Sequence, residues 1–403
     1  MSDLTTAQNG GSVARSSAST EGAKGAGAKR AVVTVLNSLG PTNMEINNAL
    51  FRSARFPNEE QYCIVLGGGD AGLLREFAAR FAKQPVRITV CDGSYGKLRR
   101  TLAGILRDLR ARAVPVVVQI SQTRSAVGAL LLNWLPLRGV PTLFTVRSMF
   151  RLYHWRTKLL TAFAGLLATR VNFVSAAGVE SYPAFLRGLK RGRVHLIVNG
   201  IDPQKIDASL AGTRPPAPRI NGQVRLVNVG RLIPAKHQAW LIDLMTRLPE
   251  HISLTVVGDG PLRSELEARA RSLGLPGERV RFTGQVYRAE VFREMAGADI
   301  FVSSSVREGM PVAVLEAMAA RMPVVLSDIG PHAEIGRCGP SVCVLPHDFA
   351  QWKQTLARLG SGSWEQRLEI GSANRRIIET QFSEERMHVE YTLLYRQLWE
   401  AQG

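Results

Sequence analysis

Two doubly wound α/β domains in tandem, facing each other across a cleft, are what this 403-residue sequence predicts. Three observations carry that reading. Short, continuous apolar runs rich in β-branched residues alternate with longer segments of helical period, the pattern of parallel strands covered on both faces by crossover helices. The alternation breaks once, at residues 202–222 (DPQKIDASLAGTRPPAPRING), where four Pro, two Gly and a loss of periodicity predict a linker. The balance of 45% apolar and 21% charged residues is that of a folded chain long enough for two cores, which excludes a mini-protein and a wholly disordered one.

Residues 1–30 are Ser, Thr, Ala and Gly with scattered cations. They bury too little apolar surface to offset the entropy of ordering and predict a disordered tail; they also lack the apolar centre of a secretory leader. The first domain is expected over 31–201, with strand runs beginning at Ala31 (AVVTVLNSL), Tyr62, Val86, Val114, Pro141, Val171 and Arg193. Lys97–Ala113 is its clearest helix, because Leu98, Leu102, Ile105, Leu106 and Leu109 fall on one stripe. After the linker, a second domain over 223–380 shows strand runs at Val224, Ile252, Val280, Asp299, Pro323 and Val342. Helical sequence from Trp364 to Glu400 closes the chain, with 381–403 set apart as a C-terminal helix.

Charge divides the two halves. Residues 1–200 carry 27 basic and 10 acidic side chains, whereas residues 201–403 carry 24 and 23. The cations of the first half are mostly Arg, whose planar fork suits phosphate. That half should meet something anionic: nucleic acid, a phosphate-bearing substrate or a membrane surface. Cys63, Cys91, Cys338 and Cys343 have no zinc spacing and read as buried thiols in a reducing compartment. The longest apolar stretch, Ala126–Leu137, is too short to span a bilayer and holds Asn133 and Pro136. The expected location is cytoplasmic, with membrane contact at most peripheral at the inner face of the cell membrane.

In sheets of this kind ligands bind beyond the carboxyl ends of the strands, and the chemistry-bearing residues follow strand runs. Gly230-Arg231-Leu232-Ile233-Pro234-Ala235-Lys236-His237 follows the Val224 strand. The Gly lets a ligand approach the backbone, and two cations on one loop can grip a diphosphate; taken alone the segment reads sooner as a solvated turn with incidental charges. Gly258-Asp259-Gly260-Pro261-Leu262 is a tight turn into a helix, in which Asp259 shapes the backbone. The most specific stretch runs from Ser303 to Ala319 (SSSVREGMPVAVLEAMA). Its serines end a strand, a Glu308-Gly309 turn follows, and Pro311 opens a helix whose free N–H groups and dipole suit phosphate oxygens. Glu316 lies on that otherwise apolar helix and requires polar partners such as sugar hydroxyls. A glycosidase-like carboxylate pair is the competing reading of Glu308 and Glu316.

GRL-x3-K, VVGDGPL, V-x-F-x-G (Val280 to Gly284) and REGMPVAVLEAMA followed by PVVLSDIGPHAEI stand in order over Gly230–Ile335. Together they resemble the family 4 retaining glycosyltransferases, and LIVNGID (Leu196–Asp202) is similar to that family's passage between domains. The resemblance implies the GT-B architecture: two Rossmann-like domains, the N-terminal one on the acceptor side and the C-terminal one binding the nucleotide sugar. It implies catalytic roles for Arg231 and Lys236, neutralising a donor diphosphate, and for Glu308, standing against the donor sugar. Donor binding is implied for Gly230, Gly258, Arg281, Phe282, Gly309, Met310, Pro311, Val312 and Glu316, with Glu316 on the ribose and Arg281–Thr283 beside the base. No cofactor and no metal are expected, since the nucleotide diphosphate sugar is a substrate and fixed cations balance the leaving diphosphate.

Two departures fall on the acceptor side. Thr145-Val146-Arg147 stands where the family has Thr-x-His, so Arg147 suits an anionic acceptor group. Gly40-Pro41-Thr42-Asn43-Met44-Glu45 replaces the family's Gly-Gly-x-Glu loop. The reading is a hexosyltransferase using a UDP- or GDP-sugar, acting on a growing lipid-linked oligosaccharide for a surface polysaccharide. Lys97–Ala113 and Arg147–Lys158 (RSMFRLYHWRTK) mix cations with apolar or aromatic residues and suggest an anionic membrane surface as a further partner. An inactive nucleotide-sugar sensor and a nucleic-acid-binding protein are the alternatives, the latter without any recognition motif.

Overall fold

A computed structural model describes residues 29–38, 44–67, 86–189, 192–211 and 222–402. The expected tail at 1–30 lies outside the described residues except for its last two positions, and Gly40 lies outside them as well.

The first domain opens with β1 (Arg30–Leu36), α1 (Met44–Arg55), β2 (Glu59–Val65), β3 (Val86–Val90) and α2 (Tyr95–Ala111). It continues through β4 (Val116–Ser121), α3 (Thr123–Leu132), β5 (Thr142–Val146), α4 (Trp155–Leu167) and β6 (Arg170–Phe173). Two short helices, α5 (Ala176–Ser181) and α6 (Ala184–Leu189), precede β7 (Val194–Leu196). The strands pair in parallel in the order β3-β2-β1-β4-β5-β6-β7. β1 shows why its run is continuously apolar: Ala31, Val33 and Val35 enter one core with the α2 leucines, while Val32 enters another on the opposite face.

The second domain holds β8 (Val224–Val229), α8 (Gln238–Met245), β9 (Ile252–Val257), α9 (Arg263–Ser272), β10 (Val280–Gly284) and α10 (Arg288–Ala296), counted after α7 (Pro203–Leu210). β11 (Ile300–Ser303), α11 (Val312–Ala319), β12 (Val324–Ser327), α12 (Gly330–Gly336), β13 (Val342–Leu345), α13 (Phe349–Ser361) and α14 (Trp364–Gln381) complete it. Its parallel sheet runs β10-β9-β8-β11-β12-β13. Both sheets therefore reverse their winding once, between β1 and β4 and between β8 and β11. Adjacent crossovers leave in opposite directions there and open a crevice at the strand ends.

Two expectations are corrected. The linker proposed for 202–222 is partly helical: Asp202 caps α7, its Oδ1 accepting from Gln204 N at 2.9 Å and Lys205 N at 3.3 Å, with Pro203 in the first turn. Ile206 is buried, and Asp207 pairs with Arg375 at 2.7 Å and Arg321 at 2.9 Å, so α7 is fastened to the second domain. Residues 212–221 of that linker lie outside the described residues. The cysteines are all free thiols, but only Cys63 and Cys91 are buried; Cys338 is exposed just past the end of α12 and Cys343 is half-buried on the edge strand β13.

After α14 the chain returns to the first domain. α15 (Glu384–Glu400) lays Met387, Tyr391, Leu394, Tyr395, Leu398 and Trp399 against Val32, Val117, Leu143 and Ile197. The two crossings between domains are bonded to each other, Ile201 N to the Phe382 carbonyl at 2.8 Å and Glu384 N to the Ile201 carbonyl at 3.0 Å. At Gly200 a side chain has no room, since a Cβ would overlap the Ser383 carbonyl and lie 2.6 Å from Glu384 Cα. Gly200→Val should cost about 1–3 kcal/mol of stability through this overpacking, seen as a lower thermal midpoint. An unchanged midpoint contradicts the close approach.

Candidate functional site

The winding reversal of the second sheet places the loops after β8 and β11 side by side. β8 runs into Gly230 and then into a 3-10 turn at Pro234–Lys236; β11 ends in buried Ser303, Ser304 and Ser305 before the Glu308–Pro311 turn. Backbone bonds lock the loops, with Val306 N donating to the Ala235 carbonyl at 3.0 Å and Ser304 Oγ to the His237 carbonyl at 2.9 Å. The result is a fixed charge pair: Lys236 Nζ lies 2.5 Å from Glu308 Oε1, and Ser305 Oγ donates to the same oxygen at 2.7 Å. The Lys236 stem lies along Gly230, where a Cβ would come within 3.2 Å of Cε.

Around this pair the strand ends are pared to glycine. Gly258 has φ +133°, and a Cβ there would overlap the Gly230 carbonyl. Its N–H donates to the Gly284 carbonyl at 3.1 Å, drawing β9 and β10 together. Arg231 is exposed on the same loop as Lys236. α11 starts at Val312, directly after the Glu308–Pro311 turn, so its positive dipole end rises beside the ion pair. Met310 is buried in the domain core and anchors that turn.

Glu316 has an internal partner: Arg288 donates to its Oε1 at 2.5 Å, and the carboxylate is only 4% exposed. Burial raises its pKa, and the neighbouring guanidinium opposes the rise. Arg281 sits in mid-strand on β10 and pairs with Glu294 of α10, also reaching Thr255 Oγ1 at 3.3 Å; Phe282 packs into the core on the other face of the strand. The structure thus gathers Gly230, Lys236, Glu308, Gly309 and the α11 amino end into one locus, and sets Arg281 against α10.

The first domain supplies the opposite wall. Gly309 touches it directly: a Cβ there would overlap the Arg147 carbonyl and lie 3.4 Å from Ser148 N. Arg307 donates to the Leu152 carbonyl at 3.2 Å, and Glu334 of α12 accepts from Ala176 N at 2.8 Å at the start of α5. The Arg147 side chain is held internally, 2.6 Å from Glu45, whose other oxygen accepts from Ser121 Oγ at 2.7 Å. Glu45 is 6% exposed, so the cation expected to meet an anionic acceptor group already has an anion.

Sequence reasoning singled out neither His332 nor Ser305, Arg288 and Glu45 as site residues. His332 lies inside the quoted GPHAEI motif and is fully buried. Its Nδ1 is 2.8 Å from the Ser327 carbonyl, so Nδ1 carries the proton and Nε2 is an acceptor without a partner among the described residues. Burial pushes its pKa down to about 4, with Glu308 pulling the other way. Among the described residues no group of three or more His, Cys, Asp or Glu is placed to hold a metal, and no helix is long and apolar enough to cross a membrane.

Residues 223–361 match the family model described as Glycosyl transferases group 1. The putative glycosyltransferase EpsF of Bacillus subtilis (strain 168) is 32% identical over 217 residues, 51% of this chain and 56% of that protein. The putative teichuronic acid biosynthesis glycosyltransferase TuaC of the same organism is 36% identical over 104 residues, 26% of this chain and 24% of that protein. The matches thus span about half, or less, of the curated relatives. Among solved structures, Anabaena Alr3699/HepE in complex with UDP and glucose has a TM-score of 0.73 at 16% identity, covering 91% of this chain and 100% of that one. At that identity the likeness is one of fold, and it extends over both domains.

His332 generates a pH prediction. An unfolded His titrates near about 6.5, whereas the folded one resists protonation until about 4. Between those values the unfolded chain binds the extra proton, so stability falls as pH drops through the window and levels off below it. His332→Gln should remove about 2 kcal/mol of that loss, measured as denaturant midpoints at pH 7 and pH 4.5 in both proteins. Equal losses in the two contradict the buried neutral imidazole.

Proposed function

With residues 223–361 matching the glycosyl transferases group 1 family model and the described residues forming two parallel-sheet domains of GT-B fold, we propose that this protein is a retaining glycosyltransferase. It moves a hexosyl group from a UDP- or GDP-sugar to a glycan acceptor, a growing lipid-linked oligosaccharide of a surface polysaccharide. The observation that carries the reading is the Lys236–Glu308 pair, held at 2.5 Å at the winding reversal of the second sheet. HepE, solved in complex with UDP and glucose, supports the donor class, and TuaC, named for teichuronic acid biosynthesis, supports the acceptor class.

The chemistry follows from where charge develops. Breaking a glycosyl–phosphate bond leaves negative charge on the departing diphosphate. Lys236, fixed by its bond to Glu308, and the amino end of α11 are preorganised to meet that charge, and Arg231 stands exposed on the same loop to join them. Glu308, bonded to Lys236 and Ser305, is held with its carboxylate facing the donor sugar. Glycines at 230, 258 and 309 let a ligand lie against the backbone. Attack on the face from which the diphosphate leaves retains configuration, with no protein nucleophile, and the two cations supply the charge that a metal ion otherwise would.

Glu308→Ala and Lys236→Ala should each lower turnover by about 100-fold or more, with circular dichroism unchanged. The assay follows release of free UDP or GDP from a panel of nucleotide sugars. Near-normal rates in both variants remove this site from the mechanism.

A further inference from the structure

Helix α4 is built inside out. It buries Thr161, Ala164 and Gly165 against the first domain and turns its large side chains outward. Trp155 is 59% exposed and Leu159 62%, and Leu160, Phe163, Leu166 and Leu167 are exposed with them. The inner face has to be small: a Cβ at Gly165 would overlap the Tyr182 hydroxyl. The neighbouring α3 ends in exposed Leu131 and Leu132, and the turn that follows it adds Trp134 (65%) and Leu135 (58%). The Thr123 and Thr161 hydroxyls, 2.8 Å apart, join the two helices, and Leu131, Trp134, Phe163 and Leu167 line one groove of about 530 Å3. Such a contiguous apolar face is rare on a soluble monomer.

Charge identifies what covers it. Between Asp108 and Glu180 the chain runs 71 residues without an acidic side chain and with nine Arg or Lys. Arg156 and Lys158 stand on α4 itself, Arg156 stacked over Trp155 at 5.3 Å, and Arg138 and Arg151 flank the two helices. Indole rings, large aliphatic side chains and cations with no acid among them are the composition that settles at an anionic lipid interface. At 13 residues α4 is too short to span a bilayer and suited to lie along one.

We propose that the outward face of α3 and α4, centred on Leu131, Trp134, Trp155, Leu159 and Phe163, docks this protein on an anionic bilayer. This rests on the lipid-linked acceptor of the proposed function and locates the contact. It also moves it: the leucines of α2 (Leu98, Leu102, Leu106, Leu109) are buried in the core, and its Lys97 and Arg112 are paired with Asp92, Glu60 and Asp108. The Trp155 end of α4 adjoins the cleft, whereas the groove of Leu131, Trp134, Phe163 and Leu167 lies at the amino ends of β5 and β6, the other end of the sheet. α4 follows the Phe150–Leu152 turn, which accepts Arg307 from the other domain, and Arg147 just before it touches Gly309. A bilayer lying along α4 therefore reaches the cleft at the Trp155 end of the helix.

The test is flotation of the full chain with vesicles of equal phosphatidylglycerol and phosphatidylcholine, against vesicles of phosphatidylcholine alone, at low and high salt. Binding to the anionic vesicles only, weakened by salt and accompanied by a blue shift of tryptophan emission, is expected. Trp134→Ser with Phe163→Ser should reduce binding at least tenfold and leave donor hydrolysis in solution unchanged. No binding to anionic vesicles, or equal binding by the double variant, overturns the proposal. So does a stable dimer in sedimentation velocity that the double variant abolishes, since a second copy then covers the face. Vesicle binding without any donor turnover overturns the transfer reading and leaves the surface standing.

Discussion

Where the strand order of the second sheet reverses, between β8 and β11, the two loops that leave the sheet must lie against each other, and the site depends on that constraint. Their backbones bond at Ala235 and Val306, and the lock brings a lysine and a glutamate that are 72 positions apart to 2.5 Å. Glycine at 230 leaves room for the lysine stem, and glycine at 258 leaves room for glycine at 230. The same edge of the sheet carries the amino end of α11, so its positive dipole end lies beside the ion pair.

The second constraint is closure. Gly309 lies against the Arg147 backbone, Glu334 caps the start of α5, and the crossings at Gly200–Ile201 and Phe382–Glu384 bind each other. The last helix completes the core of the first domain although the chain reaches it only after the whole second domain. The two domains are thus tied at the cleft by backbone contacts and behind it by a shared double crossing. The Arg147–Glu45 pair matters in this setting, because it neutralises the cation whose backbone lies against Gly309.

The strands and the donor loops were legible because their signals are local. A strand buried on both faces has to be apolar throughout, as Val32 and Val33 show by entering different cores. Glycine, serine and charge clustered after strand runs can be read one loop at a time. What escaped depends on partners distant in sequence. Nothing around Glu316 announces Arg288, nothing around Arg147 announces Glu45, and His332 becomes interesting only once Ser327 fixes its tautomer. The cap at Asp202-Pro203 is local too, but it opens a segment whose later prolines give it the composition of a linker. The apolar face of α15 could be foreseen, but not which domain it would cover. On α4 the outward turn of the large residues follows from packing, since only the small Thr161, Ala164 and Gly165 fit inward.

Whether the β8/β11 locus holds a nucleoside diphosphate decides between transfer chemistry and any other use of this fold. Isothermal titration of UDP and of GDP into the intact protein and into Lys236→Ala addresses this without knowledge of the acceptor. The account predicts that one of the two nucleotides binds and that the substitution weakens it at least tenfold while the fold persists. Failure of both to bind, or equal affinity in the two proteins, would contradict it.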